Sequence, residues 1–319
     1  MRRRFIVAAV LALAALAMPA AAQYPAKPIR IVVPFPAGSA TDTITRILGA
    51  SVSAAVGQPI VVDNKAGADG AIAAAEVAKA APDGYTLFMA TNSPMAAVPA
   101  MKKNPPYDPV ADFTPITDIG RYTFFLYVNA GVPIKTFKEL VAYAKANPGK
   151  LNYATGNTTG IVSFAQMNSL AGIEMTHVPY KGEPQGITDL VAGRVQVMWA
   201  TPTTGLPHLK EGKLRALATN LKTRSSLLPD VPTMAEVGLP QYSVVSWAGL
   251  YGPAKLPREI VARLNKEFHD AMKRPDVVAA MDKQAFHMTP STPEELASFT
   301  KAQMEAYRSI LRAAGVQPE

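Results

Sequence analysis

Residues 29–42 constrain the fold of this chain more than any other stretch. Ile29-Arg30-Ile31-Val32-Val33 is a β-forming, largely apolar run, and it stops at Pro34, which has no N–H to offer a neighbouring strand. Beyond the turn Phe35-Pro36-Ala37-Gly38-Ser39-Ala40-Thr41-Asp42, the residues Ile44, Ile47, Leu48, Val52 and Val56 recur at helical spacing. Ser39 or Thr41 is placed to cap that helix, with Asp42 in its first turn. A buried strand that passes through a small-residue loop into a helix is the building unit of α/β proteins. Ala37, Gly38, Ser39 and Ala40 carry little side-chain bulk, so their amides can approach a guest closely, and the helix N-terminus adds roughly half a positive charge. The stretch reads either as an anion seat or as an ordinary capped βα turn, and the rest of the chain has to decide.

Arg2, Arg3 and Arg4 precede an apolar run from Phe5 to Leu16, and Ala20-Ala21-Ala22 offers a small-residue cleavage site before Gln23. Residues 1–22 are therefore expected to form a secretory signal peptide, since the apolar run is too short to span a bilayer. The chain has no cysteine, so stability in an oxidising compartment must come from its core alone. Loss of the three arginines lowers the formal charge from +8 to +5. That excess is mild, and no Lys/Arg cluster with interleaved aromatics points to nucleic acid.

Strands alternate with helical patterns along the whole length, and about three hundred residues exceed what one core usually covers, which predicts two α/β lobes. Ile60-Val61-Val62, then an Ala-rich helix ending before Pro82, then Tyr85-Thr86-Leu87-Phe88-Met89 continue the first lobe. The last of these strands runs into Ala90-Thr91-Asn92-Ser93-Pro94. Ligands sit off the carboxyl ends of strands in parallel sheets, so Thr91, Asn92 and Ser93 belong on the same edge as the loop at Gly38, as ligand contacts or as caps. A second lobe is expected to begin at Phe124, with a helix capped by Thr136 and Glu139 and then the strand Leu151-Asn152-Tyr153-Ala154-Thr155. Gly156-Asn157-Thr158-Thr159-Gly160 follows, and the pattern strand, small polar loop, helix has recurred without residue identity. Strand Val195-Gln196-Val197-Met198-Trp199 ends in a third polar loop, 200–204, which holds Thr201. Residues 243–251 read as the return crossing, followed by helices over 257–273 and 293–313 that pack on the first lobe. The expected lobes are 23–123 plus 249–319 and 124–248.

Eight motifs in order now carry a family resemblance: Tyr24-Pro25-Ala26-Lys27-Pro28-Ile29-Arg30; Val33 to Gly38 with Thr41-Asp42; Pro82-Asp83-Gly84-Tyr85-Thr86-Leu87; Pro106-Tyr107-Asp108 with Asp112-Phe113; Pro148-Gly149-Lys150-Leu151; His177-Val178-Pro179-Tyr180-Lys181-Gly182; Gly212-Lys213-Leu214-Arg215-Ala216-Leu217; and Leu228-Pro229-Asp230-Val231-Pro232-Thr233. Across nearly the whole mature chain it resembles the tripartite tricarboxylate transporter solute receptors, also called Bug-type periplasmic binding proteins. The resemblance implies a two-lobed periplasmic binding protein fold (type II-like), with mixed sheets flanked by helices and an interlobe ligand cleft. It also implies a periplasmic receptor that closes on a small organic carboxylate and hands it to permease subunits in the inner membrane. With no later apolar run long enough to span a bilayer, the mature chain is expected to be soluble, and it is expected to be a monomer without a cofactor. Carried over by position, Ala37, Gly38, Ser39, Ala40, Thr41 and Asp42 form one wall, and Gly156, Asn157, Thr158, Thr159, Tyr180, Lys181 and Gly182 the other. Ser39 stands where the family usually has a second glycine, and Ser163 where many relatives carry His.

Such a seat needs no arginine, because four or five hydrogen bonds to a charged group, at roughly 1.5–3 kcal/mol each, exceed the roughly 8 kcal/mol of micromolar binding. The reading requires Gly38 and Thr158 to face one cleft. Phe35, Phe164 and Trp199 either shape a pocket for an apolar ligand body or belong to the core. Lys181 either adds charge to the seat or is solvated. For catalysis the sequence lacks a Gly-x-Ser-x-Gly elbow, a His-Glu-x-x-His pair and a P-loop, and its four histidines lie singly with no metal-ligand spacing. Two alternatives remain at this stage: a sensing module for a membrane kinase, and a hydrolase using Ser39 with His177 as base.

Overall fold

The computed structural model describes residues 24–318, and the expected signal peptide at 1–22 lies outside them. Two mixed sheets organise the chain, with strand orders β11-β4-β10-β3-β1-β2 and β7-β6-β8-β5-β9. In the first, β1 (Ile29–Val33) runs parallel to both β2 (Ile60–Asn64) and β3 (Thr86–Thr91). The long strand β4 (Phe113–Tyr122) follows. The chain then crosses through Thr123 and Phe124 into β5 (Phe125–Asn129) of the second sheet. There β6 (Asn152–Thr155) is parallel to β7 (Thr176–Pro179) and β8 (Val197–Ala200), while β5 is antiparallel to β8 and to β9 (Leu214–Thr219). β10 (Trp247–Pro253) returns antiparallel between β3 and β4, and β11 (Phe286–Met288) closes the edge.

Each sheet thus has a parallel trio joined by crossover helices and, beside it, the strand that has just arrived from the other sheet. The shared architecture expected at the two strand–loop–helix units is a topological one. The two crossings pair with each other, the Tyr122 amide donating to the Ser246 carbonyl at 3.0 Å. The return strand starts at Trp247, so it straddles the boundary expected at 249.

The helices are α1 (Ala40–Val56), α2 (Ala71–Ala78), α3 (Val98–Met101), α4 (Phe137–Ala146), α5 (Thr158–Ala171), α6 (Glu183–Val191), α7 (Pro202–Lys210), α8 (Arg258–Met272), α9 (Pro275–Asp282) and α10 (Pro293–Ala313). α1 is stopped by Gly57 in a left-handed conformation, and its apolar stripe Ile44, Leu48 and Val52 is fully buried against the first sheet. α7 corrects the expected loop at 200–204: Pro202 opens a helix, a position where its missing N–H costs nothing. α10 corrects the placement of the tail on one lobe. Tyr307 and Leu311 pack with Ala96, Ala97 and Ala100 from the first half and with Val162 of α5, so this helix braces both. Among the described residues no helix is long and apolar enough to cross a membrane.

Candidate functional site

Four parallel strands in two sheets deliver their carboxyl-terminal loops to one place, β1 ending at Phe35 to Ser39, β3 at Asn92 and Ser93, β6 at Gly156 and Asn157 and β8 at Thr201, with the β7 loop, Tyr180 to Gly182, beside them. A narrow cavity, about 350 Å³ counting its mouth, opens between them. Of the residues expected at the site, Phe35, Ser39, Ala40, Thr41, Thr91, Asn92, Ser93, Gly156, Asn157, Thr159 and Thr201 line it. The halves touch around it: the Asn92 side-chain amide donates to Thr159 Oγ1 at 2.5 Å, Thr203 Oγ1 donates to Gln284 Oε1 at 2.8 Å, and the Pro36 ring lies against Gly182.

The remaining expected residues lie elsewhere. Ala37 and Gly38 are exposed, and the Gly38 amide donates to Asp42 Oδ2 at 3.0 Å, so the expected Gly38 seat is already occupied from within the chain. Asp42 is buried behind the turn. Burial pushes its carboxyl up, but hydrogen bonds from Arg46, the Gly38 amide and Asn64 hold it below its ordinary value. Thr158 is buried outside the cavity lining, so the required pairing of Gly38 with Thr158 across one cleft is not met; Ala40 and Thr41 opposite Thr159 take that place. Phe164 and Trp199 are core residues, Phe164 tilted against Tyr153 and Trp199 stacked on Tyr242, with ring centroids 4.1 and 5.7 Å apart. Tyr180 and Lys181 line a separate hollow near the mouth, with Phe35 and the Gly67–Gly70 turn. Gly182 supports Pro36 without reaching the cavity.

The wall from the first sheet is rich in uncommitted donors. Ser39 Oγ accepts from the Asp42 amide at 3.3 Å and keeps its own proton to give, and Thr41 Oγ1 does the same after accepting from Tyr122 at 2.8 Å. Ser93 Oγ is buried without a partner. The amides of Ala40 and Thr41 open α1 and have no intrahelical acceptor, because the next two amides are taken by Ser39 Oγ and the Ser39 carbonyl. Asn92 is different: its amide group also donates to Tyr307 at 2.8 Å, while its oxygen accepts from Ser246 at 3.1 Å and from the Trp247 amide at 3.2 Å. It ties the two halves together and has no donor left for a guest.

Four lining residues are absent from the sequence-based site: Tyr122, Phe124 and Ser246 from the two crossings, and, on the opposite wall, Glu183 at the start of α6. Glu183 is 5 % exposed. Its Oε2 accepts from the Thr201 amide at 3.0 Å, Thr201 Oγ1 at 2.7 Å and Thr204 Oγ1 at 3.0 Å, and its Oε1 from Asn157 Nδ2 at 3.0 Å. The donors expected from Asn157 and Thr201 are therefore taken by a carboxylate of the protein itself. Burial raises the Glu183 pKa, and the four neutral donors offset that only in part. The same carboxylate adds to the burial that raises the Tyr122 hydroxyl, which places both groups in one electrostatic environment. Among the described residues lining the cavity there is no Lys, Arg or His. His177, the base considered for a hydrolase, is hydrogen-bonded to Thr155 at 2.6 Å and stacked on Tyr153, away from Ser39.

The model of the tripartite tricarboxylate transporter family receptor matches residues 44–316. This chain belongs to that family. BugT of Bordetella pertussis is 32 % identical over 319 residues, covering 98 % of this chain and 97 % of its own. Two solved structures are similar throughout: R. palustris Rpa4515 with adipate, at 31 % identity and a TM-score of 0.90 over 93 % of this chain and 100 % of the other, and MatC of Rhodopseudomonas palustris with bound malate, at 31 % identity and 0.85 over 90 % and 100 %. Family and neighbours are solute-binding receptors with two sheets flanked by helices, the fold that the family resemblance implies and that agrees with the two α/β lobes expected from the alternating pattern.

Proposed function

We propose that this chain is a periplasmic receptor that closes its two halves, 23–123 plus 249–319 and 124–248, on a small organic carboxylate and delivers it to the permease subunits of a tripartite tricarboxylate transporter, acting as a monomer. The observation that carries this reading is the set of donors without acceptors at the first wall: the Ala40 and Thr41 amides and the Ser39, Thr41 and Ser93 hydroxyls, at a helix N-terminus and beside no cation. These five donors are more than enough to fill a carboxylate, whose two oxygens offer about four acceptor sites. Adipate and malate in the neighbouring structures support the ligand class. The crossings at Tyr122–Phe125 and Ser246–Trp247, hydrogen-bonded to each other, supply the hinge.

A thermal-shift screen of small carboxylates on the purified chain tests this, followed by calorimetry of the best ligand. Stoichiometric binding without turnover is the expected result, with Ser39→Val weakening it by about tenfold or more, since the substitution removes a donor and the helix cap together. Binding unchanged in Ser39→Val would remove the first wall from the site. Product formed in excess of protein would replace the receptor with an enzyme.

A further inference from the structure

The two walls of the cavity are chemically opposite. Donors without acceptors face it from the first sheet, while the second sheet presents a buried carboxylate whose surrounding donors are all turned onto it. Glu183 Oε2 receives three hydrogen bonds and is saturated, but Oε1 receives only the one from Asn157, so it retains an acceptor site beside the cavity. No cation among the described residues compensates its charge, and the only groups around it are neutral: Thr201, Thr204, Asn157 and the Tyr122 and Tyr127 hydroxyls. A buried carboxylate with neutral partners alone is under-compensated, and a cationic group brought in by a ligand supplies what the protein leaves out. A ligand with a second carboxylate at that end meets like charge in a closed, weakly screening site instead.

We propose that Glu183 is the specificity residue of this cavity and that its Oε1 receives a protonated amine, so that the ligand is a zwitterionic amino carboxylate, its carboxylate on Ser39, Ala40, Thr41 and Ser93 and its ammonium group on Glu183. This rests on the reading of the cavity as a carboxylate receptor and narrows it: dicarboxylates of the kind seen in the neighbouring structures are disfavoured here by the charge of the second wall. Asn157, Thr201 and Thr204 are positioning residues that hold the carboxylate of Glu183 against the cavity.

Calorimetry at neutral pH with a matched three- to five-carbon series distinguishes the outcomes, each amino carboxylate compared with the dicarboxylate and the dicarboxylate monoamide of equal length (4-aminobutyrate, succinate and succinamate at the middle length). The amino carboxylate is expected to bind at least about tenfold more tightly than the dicarboxylate, with the monoamide between them, and Glu183→Gln is expected to erase that order and to improve succinate. A purely structural role for Glu183 would weaken all three alike in the variant, and that result overturns the proposal. It is also overturned if the dicarboxylate binds the unaltered chain as tightly as the amino carboxylate, or if the monoamide binds best, either of which leaves the carboxylate receptor standing. These comparisons within the unaltered chain need no variant, so a Glu183→Gln protein that fails to fold does not spare the proposal. If no member of any series binds a chain that melts cooperatively, the receptor reading itself falls.

Discussion

Asp42 and Glu183 are two acids in the same local setting with opposite environments. Each lies in the first turn of a helix that begins at the cleft, where a carboxylate is favoured by the helix dipole, and each is almost fully buried, at 4 % and 5 % exposure. Asp42 turns away from the cavity and meets Arg46 at 2.9 Å and the Gly38 amide at 3.0 Å; its pKa is held down. Glu183 turns toward the cavity and meets only neutral donors; its pKa is pushed up. The helix dipole is common to both, so it does not decide the outcome. The deeper desolvation of Glu183 and the Arg46 guanidinium beside Asp42 separate them, and the acid without a cation is the acid with chemistry left to do.

The largest effect expected from disturbing this contrast comes from the glycine on the Glu183 side. A Cβ on Gly156 would fall 2.3 Å from the Glu183 amide nitrogen and 2.4 Å from the Gly182 carbonyl carbon, both backbone atoms that cannot swing aside. Gly156→Ala is expected to cost about 3 kcal/mol in denaturant unfolding, at the upper end of overpacking penalties, and to abolish ligand binding by moving Glu183. A melting profile and affinity close to those of the parent would mean that the loop 156–157 and the start of α6 are not held together as described.

A middle-sized effect is expected in pH dependence, with opposite signs for the two acids. Asp42 has a lowered value in the folded chain, so its contribution to stability is present above the ordinary carboxylate value and is lost as pH falls. Glu183 has a raised value, so its contribution is greatest below the ordinary value and is lost as pH rises through the folded one. Relative to Asp42→Asn, the parent should lose its advantage progressively as pH falls through and below the ordinary carboxylate value, about 4; relative to Glu183→Gln, it should lose ground as pH climbs above that value. Melting temperatures of the three proteins across that range read both slopes directly. Slopes of the same sign would break the contrast.

This difference between the acids also marks where the sequence stops being informative. The unit at 29–42 was legible because every element of it is local: an apolar run, a proline stop, small residues, a cap. The polar turns after β3 and β6 were legible for the same reason, whereas the loop expected after β8 opens a helix at Pro202, and the convergence of the three strand ends follows from strand direction alone. Glu183 was not, because a glutamate at the start of a helix reads as a solvated dipole partner; its burial depends on Thr201 and Thr204, 18 and 21 residues away on another strand end. β4 was missed because Pro115 and Asp118 interrupt its alternation, and Asp118 is accommodated in the sheet by Arg121 at 2.7 Å and by Thr289 Oγ1, which donates to its Oδ2 at 3.1 Å. Trp199 was placed near a ligand by its position at a strand end, but successive residues of a strand face opposite ways. Met198 and Ala200 share one side of β8, and Trp199 joins Val197 in the core on the other.

The smallest effect is expected at Gly38, the glycine on the Asp42 side, and it sharpens the contrast by what it leaves unchanged. Gly38 has φ of 78°, a conformation in which an L-residue is strained, yet a Cβ there would meet nothing within 4 Å. Gly38→Ala therefore carries only the backbone penalty, about 1 kcal/mol, with no displacement of Asp42 or of the Ala40 and Thr41 amides. Ligand affinity should stay within about twofold of the parent, whereas Gly156→Ala eliminates it, although both glycines lie in the loop between a strand and a cleft-facing helix. A large loss of affinity in Gly38→Ala would move the anion seat two residues upstream, onto the amide that now caps Asp42, and would require that cap to open when the ligand arrives.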